Sequence, residues 1–123
     1  MDSLRQRKPR ERDNAYLNDL RACPCVLCLS NVAVEAAHIR YSIVGKPNPG
    51  VGQKPHDRYA LPLCNSHHRK QHSMGERQFW RQVQLNPLHI AAQLYARKGN
   101  LEAMLGLIRH LHRKYEETAE IPF

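Results

Sequence analysis

The apolar residues of this chain change their spacing from helical to extended and back to helical. Near the start, Tyr16, Leu17 and Leu20 lie three and four positions apart, which predicts a short helix over residues 13–21. Residues 1–12 before it carry five basic side chains and almost nothing apolar, so they are predicted to form a basic arm that either contacts phosphates or only aids solubility.

Two short strands and a helix are predicted in the middle of the chain. Small and branched residues over 32–39 and apolar residues over 59–63 are typical of strands. Between them, residues 45–55 hold three Gly and three Pro, which excludes a regular element and predicts a long loop. A short helix is expected to begin after residue 63, with Asn65 as its N-cap.

The second half of the chain is predicted to be helical. Ser73 and Glu76 have the spacing of a capping box ahead of an apolar group that includes Trp80, which we expect in the core rather than exposed for stacking on a base. Asn86 and Pro87 supply a cap and a helix-starting proline. From Asn100 a strong amphipathic helix is predicted, with its apolar stripe at Leu101, Met104, Leu105, Ile108, Leu111 and Tyr115.

Composition and charge narrow the class of protein. The chain of 123 residues is 41% hydrophobic, and no apolar run approaches the roughly 20 residues of a membrane helix. The N-terminal residues lack the apolar segment of a secretory signal, so we expect a cytoplasmic protein without membrane contact. A net charge of +8 favours polyanionic partners such as DNA, although solubility alone would also explain it.

Two clusters of cysteine and histidine carry the clearest chemistry. Cys25 and Cys28 form a CxxC pair, and thirty-six residues after Cys28, Cys64 and His67 form a CxxH pair. These spacings suit a tetrahedral Cys₃His site for a structural zinc ion. Cys23 forms a poorer chelate with Cys25, so it is interpreted as a spare or core thiol, with a ligand role as the alternative.

Three further histidines exceed what a structural zinc site needs. His68 and His72 are four residues apart and would share one face of the predicted helix, where they could hold a second divalent cation. His38 closes the first predicted strand and is a candidate general base, because imidazole titrates near neutral pH. A metal ion and a base together supply what phosphodiester hydrolysis requires. Each histidine could instead have a purely structural role.

These motifs resemble the HNH endonuclease superfamily and its ββα-metal fold. The resemblance runs over roughly residues 23–95 and is carried by the stretches around His38, from Lys54 to Asp57 and from Cys64 to His72. Within this superfamily, the sequence is most similar to the phage and prophage branch that includes the recombination-enhancement, RecA-dependent nuclease. The resemblance implies a host-cytoplasmic enzyme of bacterial or phage origin that acts on DNA, with a phage or host recombination protein as a candidate partner.

The resemblance also implies roles for particular residues. His38 would be the general base and Asp57 would orient it or brace the loop. His68 and His72 would bind the catalytic Mg²⁺ or Mn²⁺. The zinc ligands would be Cys25, Cys28, Cys64 and His67. Basic side chains around this site are candidates for phosphate contact, or else solvated surface charges: Arg40, Lys54, Arg58 and Arg69.

The sequence therefore predicts an α+β fold with a zinc-stapled ββα-metal core over residues 13–75 and a helical extension over 76–123 that packs on it. The predicted activity is metal-dependent DNA cleavage or nicking with low sequence specificity. The alternative is a zinc-dependent DNA-binding or adaptor protein of phage origin with a weak or inactive site. Ala37 favours this alternative, because many HNH nucleases have Asp or His there as a further metal ligand. A structural zinc protein without DNA affinity is a third interpretation.

Overall fold

The computed structural model describes residues 12–40 and 56–120, with side chains up to Thr118. Within these residues the protein is a small α+β structure with five helices and one two-stranded sheet. The elements in chain order are α1 (Asn14–Ala22), β1 (Val34–His38), a 3₁₀ turn (Asp57–Tyr59), β2 (Ala60–Cys64), α2 (Asn65–Met74), α3 (Glu76–Val83), α4 (Pro87–Tyr95) and α5 (Leu101–Glu120).

The two strands pair antiparallel, with Val34 opposite Cys64 and His38 opposite Ala60. Both predicted strands are confirmed, but β1 is shorter than the predicted 32–39. Ala33 has a left-handed φ of 52° and Val32 is 77% exposed, so the chain turns there and the extended backbone begins at Val34. The strand β2 leads directly into α2, which brings the second Cys/His cluster next to the sheet.

Helix α1 forms where the apolar spacing predicts it. The Oδ1 atom of Asp13 accepts a hydrogen bond from the backbone N–H of Tyr16, which caps the first turn. Tyr16 and Leu20 are fully buried, and the Tyr16 hydroxyl donates to the carbonyl oxygen of Ala60 in β2 at 2.9 Å. Burial raises the pKa of Tyr16, so the hydroxyl keeps the proton that this bond requires.

Two of the predicted helix caps are wrong. Cys64, not Asn65, precedes α2, and the Asn65 side chain bonds to side chains elsewhere. The predicted capping box is wrong because Ser73 lies inside α2. Gly75 instead precedes α3 as its N-cap, with a φ of 96° that glycine adopts without steric cost. The carboxylate of Glu76 instead accepts bonds of 2.9 and 3.1 Å from the backbone N–H of Arg40.

The later helices begin as the sequence predicts. The side chain of Asn86 accepts from two backbone N–H groups of α4, with Pro87 as the first helical residue. Asn100 accepts from the backbone N–H of Ala103 in α5. The apolar stripe of α5 is buried at Met104, Ile108 and Leu111, while Leu101 remains 41% exposed.

A single hydrophobic cluster joins the first and last helices. It includes Tyr16 and Leu20 from α1, Trp80 from α3, and Met104 and Ile108 from α5. The helices after residue 75 therefore share their core with the part that carries the Cys and His residues. Trp80 is buried, as expected. Within the described residues, no helix combines the length and apolar character needed to cross a membrane. Residues 1–11 of the predicted arm over 1–12, and the predicted loop over 45–55 with Lys54, lie outside the described residues.

Candidate metal centre and adjoining histidine site

Four residues from two distant parts of the sequence form a compact cluster. The ligand atoms of Cys25, Cys28, Cys64 and His67 all lie within 4.8 Å of one another. The Sγ atoms of Cys28 and Cys64 are 3.8 Å apart. The Nδ1 atom of His67 lies 3.6 Å from the sulfur of Cys25 and 3.3 Å from that of Cys64. Over the described parts of the chain, this is the only group of three or more such ligand atoms.

These distances fit a tetrahedral zinc ion. With Zn–S bonds of about 2.3 Å and a Zn–N bond of about 2.0 Å, tetrahedral angles place two sulfurs about 3.8 Å apart and a sulfur and a nitrogen about 3.5 Å apart. The three separations given above, between Cys28 and Cys64 and from His67 to Cys25 and to Cys64, lie close to those values. The Cys₃His set expected from the sequence is therefore assembled in the fold, with Nδ1 of His67 as its nitrogen.

Backbone hydrogen bonds shape the turn around the first cysteine pair. The N–H of Leu27 donates to the Cys25 sulfur at 3.4 Å, and the N–H of Leu29 donates to the Cys25 carbonyl oxygen at 2.9 Å. Leu29 has a φ of 61°, which lets the chain reverse there. The N–H of Val26 donates to the carbonyl oxygen of Pro62 in β2. The turn is thus attached to the strand that leads to Cys64.

The Cys28 thiol of this cluster would need a nearby cation to become a thiolate near neutral pH. Desolvation raises the pKa of Cys28 to about 11, and the neighbouring Cys25 and Cys64 thiols add to that increase. Cys23 lies outside the cluster, and burial raises its pKa to about 11 as well. It is buried among the core residues, which agrees with its interpretation as a core thiol.

Helix α5 contacts the first cysteine turn through a residue that the sequence did not single out. The Nδ1 atom of His112 lies 2.6 Å from the carbonyl oxygen of Leu27, to which it donates. Its Nε2 atom pairs with Glu116 one helical turn later. The spacing of His112 and Glu116 indicates a helical pair, but a backbone carbonyl has no sequence signature. The contact with Leu27 was therefore not predictable.

At the end of β1, His38 is hydrogen bonded to Asp57. The Nε2 atom of His38 lies 2.9 Å from Oδ1 of Asp57, whose side chain is almost completely buried. The other oxygen of Asp57 accepts from the backbone N–H of Asp13 at 2.7 Å. A buried carboxylate needs such partners. The structure thus brings together the two residues to which the resemblance gives the base and its orienting partner.

Asp13 connects this pair to the later helices. Its Oδ2 atom accepts from the Tyr95 hydroxyl at 2.9 Å and from the Lys98 ammonium group at 3.0 Å. The bond from Lys98, followed by the backbone bond from Tyr16, lowers the pKa of Asp13 below its ordinary value. Helix α1, the turn after α4 and the Asp57 carboxylate are therefore joined by one hydrogen-bond network. Sequence reasoning gave Asp13 no part in it.

His68 is oriented by Glu35 from the facing strand. Its Nδ1 atom lies 2.6 Å from Oε1 of Glu35, and the side-chain amide of Asn65 donates to Oε2 at 3.1 Å. The bond to His68 is the main cause that lowers the pKa of Glu35. A carboxylate on one ring nitrogen fixes the tautomer and aims the other nitrogen at a ligand. The rings of His68 and His72 lie 4.8 Å apart between centroids, which confirms their common face.

The second metal position predicted from the sequence has two imidazoles but no third ligand in the described part of the chain. Ala37, whose methyl side chain offers no ligand atom, is fully buried and shares the strand face of Glu35. Among residues 12–40 and 56–118, no set of three ligand atoms unites His68 and His72 with another residue. A divalent cation held here would take its remaining ligands from water and substrate.

Three of the predicted phosphate-contact residues, Arg40, Arg58 and Arg69, are described, and they are exposed but differ in their surroundings. Arg40 and His72 line the same open cleft of about 590 Å³, which lies beside the start of α3. The Arg58 guanidinium group lies over the Tyr95 ring, 5.4 Å from its centroid. The Nε atom of Arg69 donates to the Asn65 side chain at 2.9 Å. Of the three, Arg40 is the one that shares a cleft with a candidate metal ligand.

The described residues define a small α+β protein with a Cys₃His cluster compatible with zinc and a second, histidine-rich surface beside it. The chain belongs to the family described as "Protein of unknown function (DUF968)", which it matches over residues 3–94. That match includes both metal-ligand pairs and both strands but ends before α5. No curated protein and no solved structure matches the chain.

Proposed function

We propose that this protein is a metal-dependent DNA endonuclease or nicking enzyme with an HNH-type ββα-metal centre. The observation that carries the proposal is the hydrogen bond between His38 and the buried carboxylate of Asp57. His38 ends β1, and the partner strand β2 leads into α2, the helix that carries two neighbouring imidazoles, His68 and His72. An imidazole on a buried carboxylate is suited to activating water, and two imidazoles on one helix face are suited to holding a cation.

His38 would act as the general base. With an Nε2 proton donated to Asp57, the ring would carry its lone pair on Nδ1, and that atom would accept the proton of the attacking water. Asp57 would stabilise the imidazolium that forms. The N–H of Asp13 holds the second oxygen of Asp57 and so fixes the orientation of the carboxylate toward His38.

His68 and His72 would hold the divalent cation, Mg²⁺ or Mn²⁺. When bound, this cation supplies charge neutralisation for the phosphoryl oxygens and for the departing 3′-oxygen. Glu35 would orient His68 so that its Nε2 atom is presented to the ion. The products would carry a 5′-phosphate and a 3′-hydroxyl, and sequence preference would be low because no side chain is assigned to base edges.

The cysteine cluster would have a structural role in this enzyme. A zinc ion on Cys25, Cys28, Cys64 and His67 would join the turn before β1 to the junction of β2 and α2. His67 is adjacent to His68 on α2, so the structural ion would also fix the helix that presents the catalytic histidines.

The test is a cleavage assay on supercoiled plasmid with Mg²⁺ or Mn²⁺. The wild type is compared with His38→Ala and His68→Ala, and with His110→Ala, an exposed histidine of α5, as the matched control. We expect the wild type and the control to nick the plasmid and the other two variants to lose this activity while keeping their zinc content. Cleavage that survives in His38→Ala would disprove the assigned base.

A second candidate is a zinc-stabilised DNA-binding adaptor without nuclease activity. The observation that favours it is the buried Ala37 and the lack, over the described residues, of a third ligand near His68 and His72. This protein would retard the plasmid in a salt-dependent manner and leave it supercoiled with either metal. In that case the next variant is Ala37→Asp, which restores the carboxylate that many HNH nucleases have there.

A further inference from the structure

Helix α3 has one buried face and one basic face. Phe79, Trp80 and Val83 are buried in the core. Arg77 and Arg81 are exposed on the other side, four residues and one turn apart. The only acidic residue of α3 is Glu76 at its start, and its carboxylate is bonded to the backbone N–H of Arg40. Beyond Glu76, the exposed residues of α3 are therefore basic or neutral.

This face is continuous with the histidine surface. Arg77 lines the open cleft that also contains His72 and Arg40. It lines a second open cleft as well, of about 410 Å³, together with Arg81 and Gln84. Because the two clefts share Arg77, a path leads from the candidate metal ligand His72 along α3. We call the surface formed by Arg40, Arg77 and Arg81 the arginine strip.

The dimensions and side chains of the arginine strip suit a nucleic-acid backbone. Four residues of helix separate Arg77 and Arg81 by a rise of about 6 Å, which is of the order of the spacing between successive phosphates in an extended strand. Exposed amides such as Gln78 and Gln84 add hydrogen-bond donors without reading bases. Trp80 is buried, so the strip offers charge rather than aromatic stacking.

We propose that the arginine strip binds the sugar–phosphate backbone of a single DNA strand that passes from His72 along α3. The position of the cut at one end of this path rests on the proposed nuclease function, whereas strand binding itself does not. The interaction is electrostatic, so its strength depends on salt through the release of counterions. Each phosphate contact on a single strand adds about 0.7 to the steepness of the log–log dependence of affinity on salt.

The experiment compares two double variants that remove the same charge at the same helical spacing. Arg77→Gln with Arg81→Gln alters the strip, and Arg109→Gln with Arg113→Gln alters exposed arginines of α5. Binding of a fluorescent single-stranded oligonucleotide is measured by anisotropy over a range of salt concentrations, without Mg²⁺ or Mn²⁺. We expect the strip variant to lose about 1.4 from the salt slope of the wild type, and the α5 variant to keep that slope.

Several outcomes would overturn the proposal. Equal slopes in the two double variants would show that only net charge matters, and a wild type that binds no oligonucleotide at low salt would exclude a strand-binding surface. The nuclease function is tested separately by plasmid cleavage. If the wild type cleaves plasmid but the two double variants have the same salt slope, the nuclease proposal stands and the arginine strip proposal is rejected. If the wild type does not cleave plasmid and only the strip variant has a reduced salt slope, the arginine strip proposal stands and the nuclease proposal is rejected.

Discussion

Glu35 and His68 are joined by a 2.6 Å hydrogen bond that links the first strand to helix α2. Glu35 is two residues before Ala37 on the same face of β1, so a carboxylate is present near α2 although the usual position lacks one. Its contact is with a ring nitrogen of His68. In the proposed enzyme Glu35 would therefore position His68, which gives the predicted metal site a supporting carboxylate although residue 37 is alanine.

Replacing Glu35 should weaken metal use without unfolding the protein. In Glu35→Gln the partner of His68 loses its negative charge, so we expect the metal concentration for half-maximal cleavage to rise by about 10–100-fold. Plasmid cleavage over a titration of Mn²⁺ measures this effect. Glu102→Gln, an exposed carboxylate of α5, is the control and should behave as the wild type. A shift of equal size in the control would refute the role of Glu35.

Substitutions of Asp57 and His38 should not have additive effects on the cleavage rate, because the two side chains are expected to act together in deprotonating water. Asn at position 57 cannot accept hydrogen bonds from both His38 and the backbone of Asp13 with the same strength, so Asp57→Asn should reduce the cleavage rate by about 100-fold or more. The double variant with His38→Ala should be no slower than His38→Ala alone. Single-turnover rates measure both effects. Multiplicative losses in the double variant would show that the two residues act independently.

Zinc binding should depend on three of the four cysteines. Cys64→Ser removes a ligand of the cluster, so we expect loss of bound zinc and a large decrease in the melting temperature. Cys23→Ser alters a buried thiol outside the cluster and should keep one zinc ion per chain. Elemental analysis of the purified variants measures the zinc content. Two zinc ions in the wild type, or none, would contradict the assignment.

Asp13 should make folding stability depend on pH in the acid range. Its pKa is lowered in the folded state, first by the bond from Lys98, so its carboxylate favours folding at pH values above 3.8. That contribution is lost as the pH falls through the lower pKa of the folded state. Asp13→Asn should therefore flatten the acid limb of stability against pH, as measured by urea unfolding. Glu102→Gln serves as the control, and identical acid limbs in Asp13→Asn and wild type would contradict the prediction.

A substitution of Gln71 should recover part of the stability that is lost when Trp80 is replaced. Gln71 is fully buried, its Oε1 atom accepts from the indole N–H of Trp80 at 2.7 Å, and its Nε2 atom has no partner among the described residues. Trp80→Phe leaves the amide unpaired, at a cost of about 1–3 kcal/mol in unfolding free energy beyond the lost packing. Adding Gln71→Leu should recover part of that loss. Denaturant unfolding of the three variants measures it, and a double variant less stable than Trp80→Phe would be the contrary result.

Local and periodic features of the structure were predictable from sequence. Asn86 and Pro87 place the start of α4 because a cap and a fixed φ act within one turn. The Cys₃His cluster was predictable because the spacing within each ligand pair reflects the geometry of a single ion. The capping box at Ser73 failed, since a helix already occupied that residue and the positive φ of Gly75 decided where the next one began.

The contacts that support the candidate site could not be predicted. The N–H of Asp13 reaches Asp57 across 44 residues, and His112 reaches the carbonyl of Leu27 across 85. In both contacts one partner is a backbone group that every residue possesses, so no residue type marks it. Glu35 is a partial exception, because a carboxylate near the predicted base was visible, but its partner on α2 depends on how the helix packs against the strand.

The metal cluster has a consequence for how the chain is joined together. Two of its ligands and strand β1 come before residues 41–55, and the other two ligands and strand β2 come after them. The ion and the sheet therefore connect the same two halves of the polypeptide. A chain cut within that interval would behave as a split protein in which each fragment supplies two ligands to the ion. Its reassembly would be controlled by the supply of zinc.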